Sequence, residues 1–218
     1  MKDAAQPLDL FADTLSHLPL DEGAVLLGGF AQPFERPLLD ILGQILESAP
    51  LRSMTTPGGR PMSVATTSCG SVGWVSDQQG YRYTLVDPDS GHPWPGMPPL
   101  FQELATQAAQ RAGFPDFQPD ACLINHYAPS ARMSLHQDRD EHNLSHPIVS
   151  VSLGLPGVFL WGGQRRCDRV RRVPLVHGDV VVWGGPARLT FHGVLPVVED
   201  IHPLTGRARY NLTFRRAR

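Results

Sequence analysis

A chain of 218 residues is about the size of one domain or two small ones, and its 41% hydrophobic and 18% charged content supplies a core and excludes a disordered chain. No apolar run approaches the roughly 18 residues of a membrane helix, and three scattered cysteines, Cys69, Cys122 and Cys167, exclude a disulfide framework and a thiolate zinc site. The net charge of −2 conceals an asymmetry, with 5 basic against 12 acidic residues in 1–110 and 14 against 9 in 111–218, which favours a polyanionic partner for one face.

The opening MKDAAQPLDLFAD carries acids where a leader would carry positive charge, so a cytoplasmic protein is expected, with no membrane association. Phe34 to Ala49 repeats apolar residues with helical period and has Pro37 near its start, which predicts a helix. Leu100 to Ala112 predicts a second, stopped by Gly113. Between them, residues 53–99 alternate short extended pieces with turns and read as irregular strands and loops of the kind that recognise substrates. From Gln118 onward the pieces DACLINHYAP, ARMSLHQD, HPIVSVSLGLP, GVFLWG, VRRVPLVHGD, VVVWGG, RLTFHGV and ARYNLTFR are β-rich and separated by turn residues. Helices first and strands after predict an α+β protein in which helices back a β-sandwich or barrel.

His136-Gln137-Asp138 is an H-x-D. On a strand, such a pair shares one face and can converge on an ion. The chain holds a second H-x-D, His177-Gly178-Asp179, whose Gly-Asp precedes a run of three valines and reads as a turn. His192, in LTFHGV, is the candidate third ligand, and the following Gly193 permits close approach of the backbone. Two histidines and a carboxylate leave coordination positions open, as in non-haem Fe(II) oxygenases. A zinc hydrolase is the rival use of the same ligands. In Arg209-Tyr210-Asn211-Leu212-Thr213-Phe214-Arg215 the alternation puts two arginines, an amide and a hydroxyl on one strand face and apolar residues on the other. Facing a metal, that polar face suits a small dicarboxylate, and Asn125 and Tyr127 share a face that adds hydrogen bonds.

HQD, FHG and RYNLTFR, with DACLINHYAP and IVSVSLGLP, resemble the AlkB family of Fe(II)/2-oxoglutarate dioxygenases, from about Leu8, through MTTPGG at Met54, to about Arg216. The resemblance implies a double-stranded β-helix, or jelly roll, in a single domain over 1–218, with a nucleotide-recognition lid at about 50–99 and a catalytic core at about 118–218. It implies iron on His136, Asp138 and His192, and 2-oxoglutarate on Asn125, Tyr127, Arg209, Asn211 and Arg215. It implies substrate contacts from Trp74, Tyr81, Arg82, Tyr83, Asp140 and Arg166, with a flipped base stacked between Trp74 and His136. The expected activity is oxidative dealkylation of N-alkylated bases, such as 1-methyladenine and 3-methylcytosine, in single- or double-stranded DNA and RNA by a monomer, releasing succinate, CO2 and an aldehyde. An alkylamine on a protein or small molecule is the alternative substrate, and a non-catalytic metal-binding jelly roll the alternative function. Two positions depart from the family pattern: Arg60 stands where an aromatic is expected, and the loop QRRCDRVRR at 164–172 is unusually basic.

Overall fold

The computed structural model describes residues 17–218, so the start of the resemblance at Leu8 lies outside the described residues. Two helices form where the periodicity placed them. Helix α1, Glu35–Ser48, has an acid in its first turn and buries Leu38, Leu42 and Ile45, the i, i+4, i+7 stripe. Helix α2, Pro99–Arg111, buries Phe101, Leu104, Ala105, Ala108 and Ala109, and Gly113 just beyond its end takes φ +90°.

Both helices cover one face of a large antiparallel sheet. Its outer strands on one side are β1 (His17–Asp21) and β2 (Ala24–Leu27), and on the other β3 (Arg52–Thr55) and β4 (Pro61–Gly70). A hairpin of β5 (Gly73–Asp77) and β6 (Gly80–Thr84) stands apart as a two-stranded sheet. The predicted C-terminal pieces become β7 (Ala121–Tyr127), β8 (Met133–His136), β9 (Ile148–Gly154), β10 (Gly157–Trp161), β11 (Arg171–Leu175), β12 (Val180–Trp183), β13 (His192–Val194) and β14 (Arg209–Arg215). The large sheet runs β1-β2-β12-β9-β14-β7-β4-β3, and a smaller one runs β11-β10-β13-β8, with antiparallel pairing throughout. This is the two-sheet jelly roll that the family resemblance implied, and it lies within the sandwich-or-barrel class that the run of β-rich pieces predicted.

The period of two divides the chemistry of the large sheet. Val149, Val151, Leu153, Val180, Val182, Leu212 and Phe214 point at the helices, where Phe214 meets Phe101 edge-on with centroids 5.8 Å apart. Burying one such side chain contributes about 1.5–3 kcal/mol, so this layer holds the sheet rigid beneath the opposite face. There Ile148, Val181 and Trp183 join Phe159 and Trp161 of the small sheet in a second core. The remainder of the opposite face is polar and opens into a cavity.

The 50–99 stretch divides where the sequence reading kept it whole. Strands β3 and β4 belong to the large sheet, β4 pairing with β7 from Ala65↔His126 to Gly70↔Ala121, so the sheet core is not confined to 118–218. The hairpin β5–β6 is the separate part. The correction has a physical cause: β4 gains its partner from residues that lie 51 to 61 positions away, which no local pattern reveals. Strands β1 and β2, also unread, join the sheet through the pairing of β2 with β12. Cys69 and Cys122 lie opposite one another in the core as free thiols. Among the described residues, no helix is long and apolar enough to cross a membrane.

Candidate active site

Cross-strand register brings the two histidines together. His192 opens β13 directly opposite His136, the last residue of β8, and their ring centroids are 4.4 Å apart. A side chain at Gly193 would place its Cβ 2.6 Å from the Met133 carbonyl, so glycine is what lets β13 approach β8. Asp138 does not share a strand with His136, as the H-x-D reading assumed: β8 ends at His136 and Asp138 lies in the following loop. The loop is held in shape by Gln137, whose amide donates to the Leu189 carbonyl at 2.5 Å, and by Arg188, which donates to the Asp138 carbonyl at 2.5 Å. The result still converges. Asp138 Oδ1 is 3.4 Å from His136 Nε2 and Oδ2 is 3.8 Å from His192 Nε2, and the ligand atoms of all three lie within 4.8 Å of one another.

The donor set suits a divalent iron. The Nδ1 of each histidine pairs with the carbonyl two residues back, 2.9 Å to Ser134 and 3.0 Å to Thr190, which leaves Nε2 as the free lone pair. Burial pushes the His192 pKa down to about 4, so the ring is neutral and able to ligate. Burial opposes ionisation of Asp138, but Arg215 overrides it and holds the carboxyl well below the usual carboxylate range. The other H-x-D is the turn the sequence indicated. Gly178 has φ +86°, Asp179 accepts from the backbone N–H of Gly29 and Val176, and His177 accepts from that of Gly154.

The same cavity, about 870 Å³, is lined along one wall by Asn125, Tyr127, Arg209, Asn211, Thr213 and Arg215. Arg209 is 1% exposed; it donates from Nη2 to Ser152 Oγ at 2.8 Å, while its Nε has no partner. A Cβ at Gly157 would lie 3.0 Å from that Nε, so glycine clears space for the guanidinium. Asn125 Oδ1 is likewise buried and unpartnered, whereas Asn211 is tied to Ser150 and Val151. A fully buried cation whose near partners are neutral oxygens fits a carboxylate ligand. Arg215 differs: it is engaged with Asp138 at 2.5 Å and Glu141 at 3.1 Å, so it is no free fork for a dicarboxylate.

At the other end of the cavity the hairpin contributes Trp74, Tyr81 and Tyr83, and His136, Asp140 and Arg166 line the same space. Trp74 is half-buried at the edge of a small cluster of Met54, Val75 and Trp94, stacks on Tyr81 with centroids 5.6 Å apart and donates to Asp140 at 2.9 Å. Arg82 does not face the cavity. It alternates to the other side of β6 and forms a bidentate pair with Asp77 at 2.7 and 2.8 Å. Arg166 lies 5.8 Å over the Phe191 ring. Arg171, in the basic loop's flank, donates to the Leu20 carbonyl and so braces β1. Sequence reasoning missed Glu141 and Arg188, which bond at 2.9 Å with side chains 2% and 5% exposed. A lone charged residue in ARLTFHGV, four positions before His192, was the available signal.

Residues 23–215 match the family model described as the 2OG-Fe(II) oxygenase superfamily. The chain is 54% identical over 211 residues to the alpha-ketoglutarate-dependent dioxygenase AlkB of Escherichia coli strain K12, covering 96% of this chain and 98% of that one. The chain belongs to the AlkB family. It is also 45% identical to the AlkB homolog of Caulobacter vibrioides strain NA1000, over 99% of this chain and 96% of that one. Among solved structures, that of OsALKBH1 superposes with a TM-score of 0.82 at 28% identity, over 92% of this chain and all of the other. Fe(II) and 2-oxoglutarate are accordingly the metal and cosubstrate of this AlkB-family member, and the facial arrangement of His136, Asp138 and His192 agrees with that chemistry.

Proposed function

We propose that this protein repairs N-alkylated nucleobases, such as 1-methyladenine and 3-methylcytosine, by oxidative dealkylation in DNA and RNA. The observation that carries this reading is one cavity with a triad of metal ligands at its floor, a buried arginine lacking a carboxylate on one wall, and an indole beside a carboxylate at the mouth. Bound Fe(II) would couple the oxidative decarboxylation of 2-oxoglutarate by O2, which yields succinate and CO2, to hydroxylation of the alkyl carbon, and that carbon would then leave the nitrogen as an aldehyde.

His136, Asp138 and His192 hold the metal. Arg209 takes the distal carboxylate of 2-oxoglutarate, with Asn125, Tyr127 and Asn211 lining its path. Burial raises the Tyr127 phenol to about 12, so it stays protonated and donates. Arg215 contributes through Asp138. The hairpin β5–β6 acts as the lid, where Trp74 offers its face to a base turned out of the helix, and Asp140 offers a carboxylate to the edge of that base. Tyr81 extends the aromatic wall and Arg166 meets a neighbouring phosphate.

The relatives support a nucleic-acid substrate: a protein of Schizosaccharomyces pombe, 27% identical, is named tRNA demethylase abh1, and one of mouse, 31% identical, is named nucleic acid dioxygenase ALKBH1. A site complete within one chain supports a monomer, and three free thiols support a reducing cytoplasm. The deciding experiment is mass spectrometry of methylated single- and double-stranded DNA and RNA after incubation with the protein, Fe(II) and 2-oxoglutarate. Loss of the methyl mass with stoichiometric succinate is expected. Succinate without loss of methyl from any of these oligonucleotides would redirect the substrate to an alkylamine on a protein or small molecule.

A further inference from the structure

Glu141 is the buried charge that neither metal binding nor base recognition explains. Its Oε2 accepts from Arg188 at 2.9 Å, and its Oε1 accepts from the Tyr83 hydroxyl at 2.9 Å and lies 3.1 Å from Arg215 Nε as an ion pair. Arg188 continues to the carbonyls of Asp138 at 2.5 Å and His146 at 2.9 Å, and Arg215 continues to Asp138 Oδ2 at 2.5 Å. The metal-ligand loop is therefore gripped twice, at the Asp138 backbone by one arginine and at the Asp138 carboxylate by another, and Glu141 bridges the two. Two arginines and two carboxylates make the group neutral as a whole, and all four side chains are at most 9% exposed.

We propose that Glu141 is a positioning residue for the metal: it shares the charge of Arg215 with Asp138 and anchors Arg188, so that Asp138 stays in register with the two histidines and keeps its negative charge available to a cation. Without the charge on Glu141, Arg215 acts undivided on the carboxylate that the metal needs, and Arg188 loses its hold on the loop. Tyr83 gives the lid hairpin a hydrogen bond to the same carboxylate, which extends the mechanical link from the lid to the ligand. The proposal rests on the assignment of His136, Asp138 and His192 to the metal.

Glu141→Gln keeps the volume and removes the charge. Titration of the full-length variant with Co(II), followed by its d–d absorption, is expected to give a Kd about ten- to a hundredfold above wild type, the usual effect of losing an outer partner of a metal ligand, with partial recovery in Glu141→Asp. The Tm of the metal-free protein is read alongside. A lowered Tm with unchanged Co(II) affinity and spectrum would reduce Glu141 to a fold-stabilising residue and overturn the proposal. Should Glu141→Gln fail to fold, Arg188→Lys decides: it retains a positive charge but loses the fork that spans two carbonyls and Glu141, so its Co(II) affinity must fall too, and an unchanged affinity overturns the proposal. His192→Ala is titrated beside them. Wild-type metal binding there overturns the metal assignment itself, whereas loss in His192→Ala with unchanged binding in the others overturns only the role of Glu141.

Discussion

At the floor of the cavity Arg209 and Arg215, and behind it Arg188, are 1%, 7% and 4% exposed, while at its mouth Arg60, Arg132, Arg139 and Arg166 stand in solvent. The buried three have fixed partners: carboxylates for Arg215 and Arg188, hydroxyl and carbonyl oxygens for Arg209. Among the described residues, none of the four at the mouth forms an ion pair with a carboxylate. The same side chain thus meets two dielectric regimes within one site. A buried guanidinium is directional and costly to leave unpaired, so each has one task. An exposed one is screened by salt, so several act additively on a polyanion.

Breaking the floor should have the largest effects. Alanine at His136, Asp138 or His192 is expected to abolish turnover and sharply weaken Fe(II) binding, read by anaerobic titration. His177→Ala and Asp179→Ala, in the other H-x-D, should keep the metal. Arg209→Ala comes next. Removing one partner of a buried charge pair costs on the order of 2–5 kcal/mol, so the 2-oxoglutarate affinity should fall by tens- to thousands-fold, with Co(II) binding retained. Arg215→Ala separates the two arginines of one strand. Because Arg215 touches Asp138 and Glu141, it should lose metal affinity as well as cosubstrate affinity. Loss of 2-oxoglutarate binding alone would show that the strand carries two equivalent forks, as its alternation first suggested.

That strand illustrates what the sequence made legible. A period of two over seven residues sorts Arg209, Asn211, Thr213 and Arg215 from Tyr210, Leu212 and Phe214, and the structure keeps the division. His136 and His192 were legible through short motifs, and their opposition through strand pairing was not. Asp138 was found by spacing although the strand ends before it. Glu141 and Arg188 carry no periodic signal: they meet across 47 positions, and only the three-dimensional loop makes either one necessary. Arg82 shows the reverse error. Grouping it with Tyr81 and Tyr83 ignored the alternation of β6, which turns it to Asp77.

At the mouth, Trp74 sharpens the comparison because its contribution is neither a buried charge nor a screened one. Stacking a base on an indole contributes roughly 1–3 kcal/mol, so Trp74→Ala should lower kcat/KM for a methylated oligonucleotide about ten- to a hundredfold. Metal binding and substrate-independent consumption of 2-oxoglutarate should persist. Loss of the folded state would instead identify Trp74 as a member of the Met54, Val75 and Trp94 cluster that it borders.

The mouth should yield the smallest effect and the one most sensitive to conditions. Arg60 closes the turn between β3 and β4, where its backbone N–H meets Thr56 Oγ1 at 3.2 Å, and Arg132 follows β7 on the neighbouring rim. Neither guanidinium is spent on a carboxylate of the described protein, so both are available to phosphates. Each phosphate contact on a single strand contributes roughly 0.7 to the slope of log K against log salt, so Arg60→Ala with Arg132→Ala should flatten that slope by about 1.4. The loss of affinity should be marked in dilute buffer and small near physiological ionic strength, where exposed charges are screened. Fluorescence anisotropy with a labelled methylated oligonucleotide across a salt series measures both quantities. Arg209→Ala, assayed identically, should leave the slope untouched, because its charge never meets the strand. A wild-type slope in the double variant, or a flattened one in Arg209→Ala, would erase the division between a dry floor that holds the cosubstrate and a wet rim that holds the nucleic acid.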